Sequence, residues 1–364
     1  METIMSQEFA LIGDFTYTPW QKTLRELNAI NQEKILFNQQ TQTLALSVTL
    51  PFSLNAQQEF ISALTDYIGR QYPQVQEVKV NLTFKISQRR PSGKKQPFPG
   101  IKNIIAVSSG KGGVGKSSVS ANLAAALANG GAKVGILDAD LYGPSIPHML
   151  GASETKPTSN DNKTMNPVQV GKLYANSIGF LIPETDPTIW RGPMASSMLK
   201  QLIEETNWPD LDYLVLDLPP GTSDIHITVT QDLAVTGSVI VSTPQDIALL
   251  DVLKGVNMFR ELNVPVLGVV ENMSMYTCPN CGYQAHIFGN DGVKEISQIL
   301  QTPVLVSVPL NPVIREDLDN GIITTAQDPQ GSIGQIFNAL ADKVSFSLYD
   351  QVKKYAPSIN ISQL

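Results

Sequence analysis

Cysteine is nearly missing from this chain: Cys278 and Cys281 are the only two in 364 residues. So few thiols exclude a disulfide framework. Their C-x-x-C spacing, inside Cys278-Pro279-Asn280-Cys281-Gly282, directs them to metal or redox work in a reducing compartment. Long apolar runs are also lacking, since Gly, Pro or a charge interrupts each one well short of membrane-spanning length. The opening residues METIMSQEFALIGDF have no basic stretch of the kind that starts an export signal, so the expected location is the cytoplasm. Excess positive charge is absent too. A formal net charge of -7 excludes a dedicated nucleic-acid-coating surface, which needs clustered Lys and Arg. The one basic cluster, Arg89, Arg90, Lys94 and Lys95, is interleaved with Pro91, Gly93, Pro97, Pro99 and Gly100 and reads first as a linker. Internal repeats and low-complexity tracts are not found.

What is present is a phosphate-binding loop, Gly110-Lys111-Gly112-Gly113-Val114-Gly115-Lys116-Ser117-Ser118. It follows the apolar run 104–107 and opens into a helical pattern through Asn122, Leu123, Ala124 and Leu127. A strand, a glycine loop and a helix in that order let backbone N–H groups and the positive helix end converge on phosphate oxygens. Lys116 is then expected at the β- and γ-phosphates of ATP, and the Ser117 hydroxyl on Mg2+.

Around this loop the chain divides. Residues 1–90 read as a small α+β domain, with a helix expected over 20–30, strands over 43–50 and 78–84, and a second helix over 57–68. Residues 91–100 read as the linker. From 101 to 345, apolar runs at 134–137, 213–216, 238–241, 266–270 and 303–306 alternate with helical segments, which predicts an α/β fold with a parallel sheet covered on both faces. Residues 346–364 read as a tail. A helical pattern at Ile333, Ile336, Phe337, Leu340 and Val344 has too thin a basic face for a membrane helix and is assigned to core packing.

In such sheets ligands gather at the carboxyl ends of the strands. Asp138 and Asp140 end one strand and Asp217 ends another, just before Pro219-Pro220-Gly221-Thr222. Asp217 is assigned to the magnesium site and Asp140 to the attacking water. Lys111 is a second lysine that an ordinary phosphate loop does not need; it is either a solvated loop residue or a group that meets phosphate charge across a dimer.

GKGGVGKSS, with the preceding Val107-Ser108-Ser109, resembles the deviant Walker A ATPases that include MinD, ParA and the nitrogenase iron protein. More of the chain resembles one branch, the Mrp/ApbC-type iron-sulfur cluster carrier proteins. The likeness runs from about residue 100 to 321 through Leu137-Asp138-Ala139-Asp140-Leu141-Tyr142-Gly143-Pro144-Ser145, Trp190-Arg191-Gly192-Pro193-Met194, the block ending in Asp217, Thr243-Pro244-Gln245, Glu271-Asn272-Met273-Ser274 and CPNCG. The chain departs from the family pattern at Ser118, Ser223, Asp291 and Asn311, which stand where Thr, Gly, Gly and Asp are usual. Residues 1–90 resemble a SufT-like assembly domain only faintly.

The resemblance implies a homodimeric ATPase that passes iron-sulfur clusters from scaffold proteins to apoproteins, with no nucleic acid or membrane partner. Lys111 would reach nucleotide on the partner subunit. Asn272 would read the adenine edge, helped by Pro309 and Asn311, and Cys278 and Cys281 would hold a 4Fe-4S cluster at the dimer seam. Ligand arithmetic agrees, because a thiolate cluster wants about four ligands and one chain supplies two. Zinc remains the alternative at this motif, completed in one chain by His286. A positioning ATPase like MinD or ParA and a zinc-stabilised nucleotide-binding scaffold remain the rival functions.

Overall fold

A computed structural model describes residues 3–4, 8–91, 96–182, 192–221, 226, 230, 233–289 and 292–353. Lys94, Lys95, Trp190, Arg191, Thr222, Ser223 and Asp291, singled out above, lie outside the described residues, as does the tail from 354. The chain separates into two compact units, residues 1–87 and 88–364.

The first unit is built on a four-stranded sheet in the order β1 (Thr3–Ile4), β4 (Leu36–Asn38), β5 (Thr43–Leu50), β6 (Glu77–Phe84). A separate two-stranded ribbon pairs β2 (Thr16–Tyr17) with β3 (Lys22–Thr23). Strand β5 alternates as its sequence predicts, burying Leu44, Leu46, Val48 and Leu50. Helix α1 (Gln57–Gln71) presents Phe60, Leu64 and Ile68 to the same core, where Trp20 meets Phe52 edge-on at 4.8 Å. The helix expected over 20–30 does not form. Gln21 and Asn28 adopt left-handed φ values of 53° and 50°, and the Glu26 carboxylate accepts from the backbone N–H and hydroxyl of Thr23, closing turns instead. Leu24 and Leu27 are buried all the same, so the apolar spacing served a looped hydrophobic plug.

The second unit carries an eight-stranded sheet. Its order is β16 (Val304–Ser307), β13 (Val266–Glu271), β12 (Gly237–Ser242), β7 (Ile101–Ser108), β11 (Leu211–Asp217), β8 (Val134–Asp138), β10 (Leu173–Ser177), β9 (Val168–Val170). All neighbours are parallel except the edge pair β9–β10. The central strands are buried along nearly their whole length, which is why they read as continuous apolar runs. On one face, Ile104, Ala106, Leu214, Leu216 and Ile240 share a core with α4 (Gly192–Glu204), α5 (Asp246–Glu261) and α6 (Gly292–Leu300). The other face is covered by α2 (Lys116–Asn129) and the C-terminal helix Ser332–Gln351, which bury Leu123, Leu127, Phe337, Leu340 and Val344. Each such apolar side chain contributes about 1.5–3 kcal/mol by leaving water. That helix runs past residue 345, so the boundary expected there falls inside it.

Arg89 corrects the linker reading at its amino end. It is buried, its guanidinium lies 4.1 Å over the Tyr349 ring, and its N–H donates to Asn103 Oδ1. Arg89 is therefore packed within the sheet unit, its planar guanidinium stacked on an aromatic ring. Among the described residues, no helix is long and apolar enough to cross a membrane.

Candidate functional site

The turn from β7 into α2 lies at the carboxyl end of the central strand. Gly113 and Gly115 take φ values of 78° and 80°, a region open to glycine and costly for other residues, and Gly115 caps α2. A Cβ on Gly115 would run into the amide nitrogen of Asn272, which donates to Val114 O at 2.8 Å. A Cβ on Gly110 would run into Asp251 of α5. A Cβ on Gly113 would meet open space and one on Gly112 only an ordinary contact with Pro220, so neither glycine is packed tightly there. The loop is thus pinned by Asn272, just after β13, and by α5. Further along, Ser118 O accepts from Asn122 Nδ2 at 2.9 Å, an i,i+4 bond within α2.

The carboxylates meet this loop in register. Asp138 and Asp217 are paired residues on the adjacent strands β8 and β11, and both are fully buried. Lys116 Nζ sits 2.7 Å from Asp217 Oδ1 and 3.2 Å from Ser117 Oγ, while Ser120 Oγ donates to the same Asp217 oxygen at 2.6 Å. Asp217 Oδ2 is buried without a hydrogen-bond partner. That leftover oxygen can still accept a hard divalent cation, while the Lys116 ammonium and the Ser120 hydroxyl occupy the other oxygen of the same carboxylate.

Asp138, named from the sequence only as a strand-end acid, is the most constrained group of the site. Its Oδ2 accepts from the N–H groups of Ser145 and Ile146 at 3.0 Å each and from Ser177 Oγ at 3.3 Å; its Oδ1 accepts from Asp140 N at 3.1 Å. Burial, with the Asp217 charge adding to it, pushes its carboxyl up to about 7. Asp140 is also raised, by burial first, although the N–H groups of Tyr142 and Gly143 and the Lys116 charge pull the other way. Only the strand-end position signalled Asp138 in advance.

The remaining predicted residues fall into two groups. Lys111 does not extend outward: its ammonium donates to Gln245 Oε1 at 2.7 Å. Asn272 is buried and engaged with the loop backbone, and its N–H donates to Ser242 O. Asn311 caps α7 (Pro312–Asp319), accepting from Val313 N at 2.9 Å. Pro309 follows Val308, whose N–H ties β16 to Glu271 O.

Cys278 and Cys281 stand apart on a small hairpin formed by β14 (Tyr276–Thr277) and β15 (Gln284–Ala285). Cys278 N donates to Tyr283 O and Gly282 N to Cys278 O, each at 2.9 Å, which makes a tight turn with Gly282 at φ 71°. Both thiols are free, and Cys281 is exposed. The Cys278 thiol is lowered below its ordinary value by hydrogen bonds from the backbone of Cys281 and Asn280, which favours the thiolate. His286 Nδ1 lies 3.2 Å from Ser274 O. Among the described residues, no group of three or more His, Cys, Asp or Glu side chains is placed to hold a metal ion.

A parallel sheet with this loop on its central strand, a lysine and serine at the start of the next helix, and carboxylates on the two adjacent strand ends defines a P-loop NTPase. Comparison with known proteins makes the assignment narrower. The chain belongs to the ParA family described as the NUBPL iron-transfer P-loop NTPase, whose family model matches residues 100–345. It is 49% identical over 341 residues to an iron-sulfur cluster carrier protein of Haemophilus influenzae, covering 94% of this chain and 91% of that one. It is 43% identical over 298 residues to the iron-sulfur cluster transfer protein NUBPL of Dictyostelium discoideum, covering 82% and 91%. Among solved structures, it resembles a nucleotide-binding protein of Archaeoglobus fulgidus in complex with ADP, with 37% identity and a TM-score of 0.57 over 65% of this chain and 93% of that one. The resemblance drawn from the sequence motifs and the parallel α/β fold are both borne out.

Proposed function

We propose that this protein is an ATP-hydrolysing iron-sulfur cluster carrier. Two copies bind a 4Fe-4S cluster between them through Cys278 and Cys281 of each chain, receive it from scaffold proteins and deliver it to apoproteins in the cytoplasm. The observation that carries the reading is the hairpin: it offers two free thiols, one of them, Cys278, favoured as thiolate by backbone hydrogen bonds, and together half the ligands that a thiolate cluster or a tetrahedral metal requires. The relatives named as cluster carriers support the identity of the cargo.

At the other end, the N–H groups of the Gly112–Ser118 segment and the start of α2 receive the phosphates of ATP, with Lys116 at the terminal phosphate. Mg2+ fits Ser117 and Asp217, the latter with its unpartnered oxygen; when bound, it neutralises phosphate charge. Asp140 holds the attacking water, and Asp138, through its bond to Asp140 N, holds Asp140 in place. Lys111 meets the nucleotide of the partner subunit, and Asn272 with the Pro309–Asn311 turn borders the base. Nucleotide state would then bias a two-state dimer whose geometry sets how exposed the cluster is.

Cluster transfer to an apo-ferredoxin tests the coupling. The wild type loaded with iron and sulfide should transfer its cluster at a rate that changes with Mg-ATP. Lys116→Ala should keep the cluster and lose the nucleotide response. Equal transfer by both proteins with and without ATP would remove hydrolysis from the delivery step.

A further inference from the structure

Lys111 is fastened at both its backbone and its side chain. Its carbonyl accepts from Ser109 Oγ at 2.9 Å, and its ammonium donates to Gln245 Oε1 at 2.7 Å. Gln245 stands immediately before α5, where a short polar side chain would ordinarily turn back onto the first free N–H groups of the helix. Its side chain makes no such cap and its amide oxygen goes to Lys111 instead. Proximity is enforced by Gly110, the residue before Lys111: any side chain there would collide with Asp251 in the second turn of α5, so the helix start lies flush against the loop.

Electrostatically this resting place is weak. A neutral amide holds a full positive charge next to a helix amino end, whose own partial charge is positive. A phosphate oxygen offers the same ammonium an anionic acceptor and a stronger bond, with both partners charged. The contact can therefore hold the lysine when no anion is within reach and yield it when one arrives.

We propose that Gln245 is a positioning residue that parks Lys111 on its own subunit until a phosphate of the nucleotide bound by a second copy draws it away. The proposal rests on the reading of Lys111 given above, and Gln245 acts through Lys111 alone. Parking restrains the lysine between encounters, so it opposes ATP-dependent dimer formation by a modest amount and leaves nucleotide binding to the single chain untouched. Removing the amide lowers the barrier. Converting it to a carboxylate replaces a neutral bond with an ion pair that also suits the helix amino end, and deepens the trap.

The test uses the full chain with Mg-ATP, measuring by sedimentation velocity the protein concentration at which half is dimeric, and by fluorescence the affinity of a labelled ATP analogue for the monomer. Gln245→Ala should dimerise at about threefold lower concentration and Gln245→Glu at about tenfold higher, the size expected for losing or gaining one charge-assisted bond. The Glu variant should recover toward wild type in about 0.5 M salt, because the added ion pair is screened. Gln245→Asn separates parking from a purely structural role. It keeps a polar amide at the position but is one methylene too short to reach Lys111, so it should follow Ala if parking is the role and follow wild type if any amide there serves. Lys111→Ala is the reference. If it abolishes ATP-dependent dimerisation while all three Gln245 variants match wild type, parking is wrong and the reading of Lys111 stands. If Lys111→Ala dimerises normally, that reading fails, and parking with it.

Discussion

The nucleotide end and the cysteine end of the sheet unit are constructed in opposite ways. The phosphate loop is pinned from three sides, by Asn272 through Val114 O, by Asp251 against Gly110 and by Gln245 through Lys111, and it faces two buried carboxylates in register. The cysteines sit on a hairpin with two residues in each strand, with Tyr283 in its turn 69% exposed and Ile287 just past its second strand 56% exposed. A two-stranded ribbon of that size is marginal alone. The contrast teaches that the chain is preorganised around its phosphate loop and sparsely built around its cysteines, where the function proposed above calls for a second molecule to complete the ligand set.

The largest expected effect breaks the preorganised end. Lys116→Ala should cut ATP hydrolysis by about 10²–10³-fold, the scale for removing one group that meets developing charge. It also leaves the Asp217 carboxylate buried without its cation, so urea unfolding of the nucleotide-free protein should show a loss of about 3 kcal/mol near pH 8. An unchanged urea midpoint would mean that the Lys116–Asp217 pair is absent in solution. Gly115→Ala comes next. It combines a left-handed φ with a collision against the Asn272 amide and should cost about 2–3 kcal/mol in the same assay, with ATP binding weakened in parallel.

A pH series sharpens the comparison. Asp138 is pushed up to about 7 in the folded chain, while an unfolded carboxyl titrates near 3.9. The folded state holds that proton more tightly, so this group's contribution is most favourable below about pH 4 and declines as pH rises through about 7. Wild-type stability should therefore fall relative to Asp138→Asn between pH 5 and 8, by at least about 1 kcal/mol. Parallel curves would show that the buried carboxylate pair does not carry the charge assigned to it. Cys278→Ala has the smallest effect on the fold: its urea midpoint should match wild type, because the turn is exposed and the thiol supports no core. A large shift would make the hairpin a structural element and erase the contrast.

Legibility followed the same division. Strands β7, β8, β11, β12 and β13 could be read because both faces are buried and their residues run apolar, and the loop because glycine and lysine spacing is dictated by phosphate geometry. Residues 20–30 could not, since apolar spacing at Leu24 and Leu27 is shared by a helix and by a looped plug, and the deciding bonds of Thr23 with Glu26 are local side-chain chemistry. Arg89 was misread because a charge among prolines looks solvated until Tyr349 arrives from the far end of the chain. Gln245 and Asp138 matter through partners 134 residues away and on a neighbouring strand, a kind of pairing that periodicity does not encode.

The most direct test of the proposed cysteine site is anaerobic reconstitution with iron and sulfide, counting iron, sulfide and zinc per chain and determining mass before and after. The account predicts about four irons for every two chains, a thiolate-cluster absorption band and a doubling of mass on loading. One zinc per chain, no iron and an unchanged monomer would contradict it, leaving Cys278 and Cys281 as a structural clip on an NTPase.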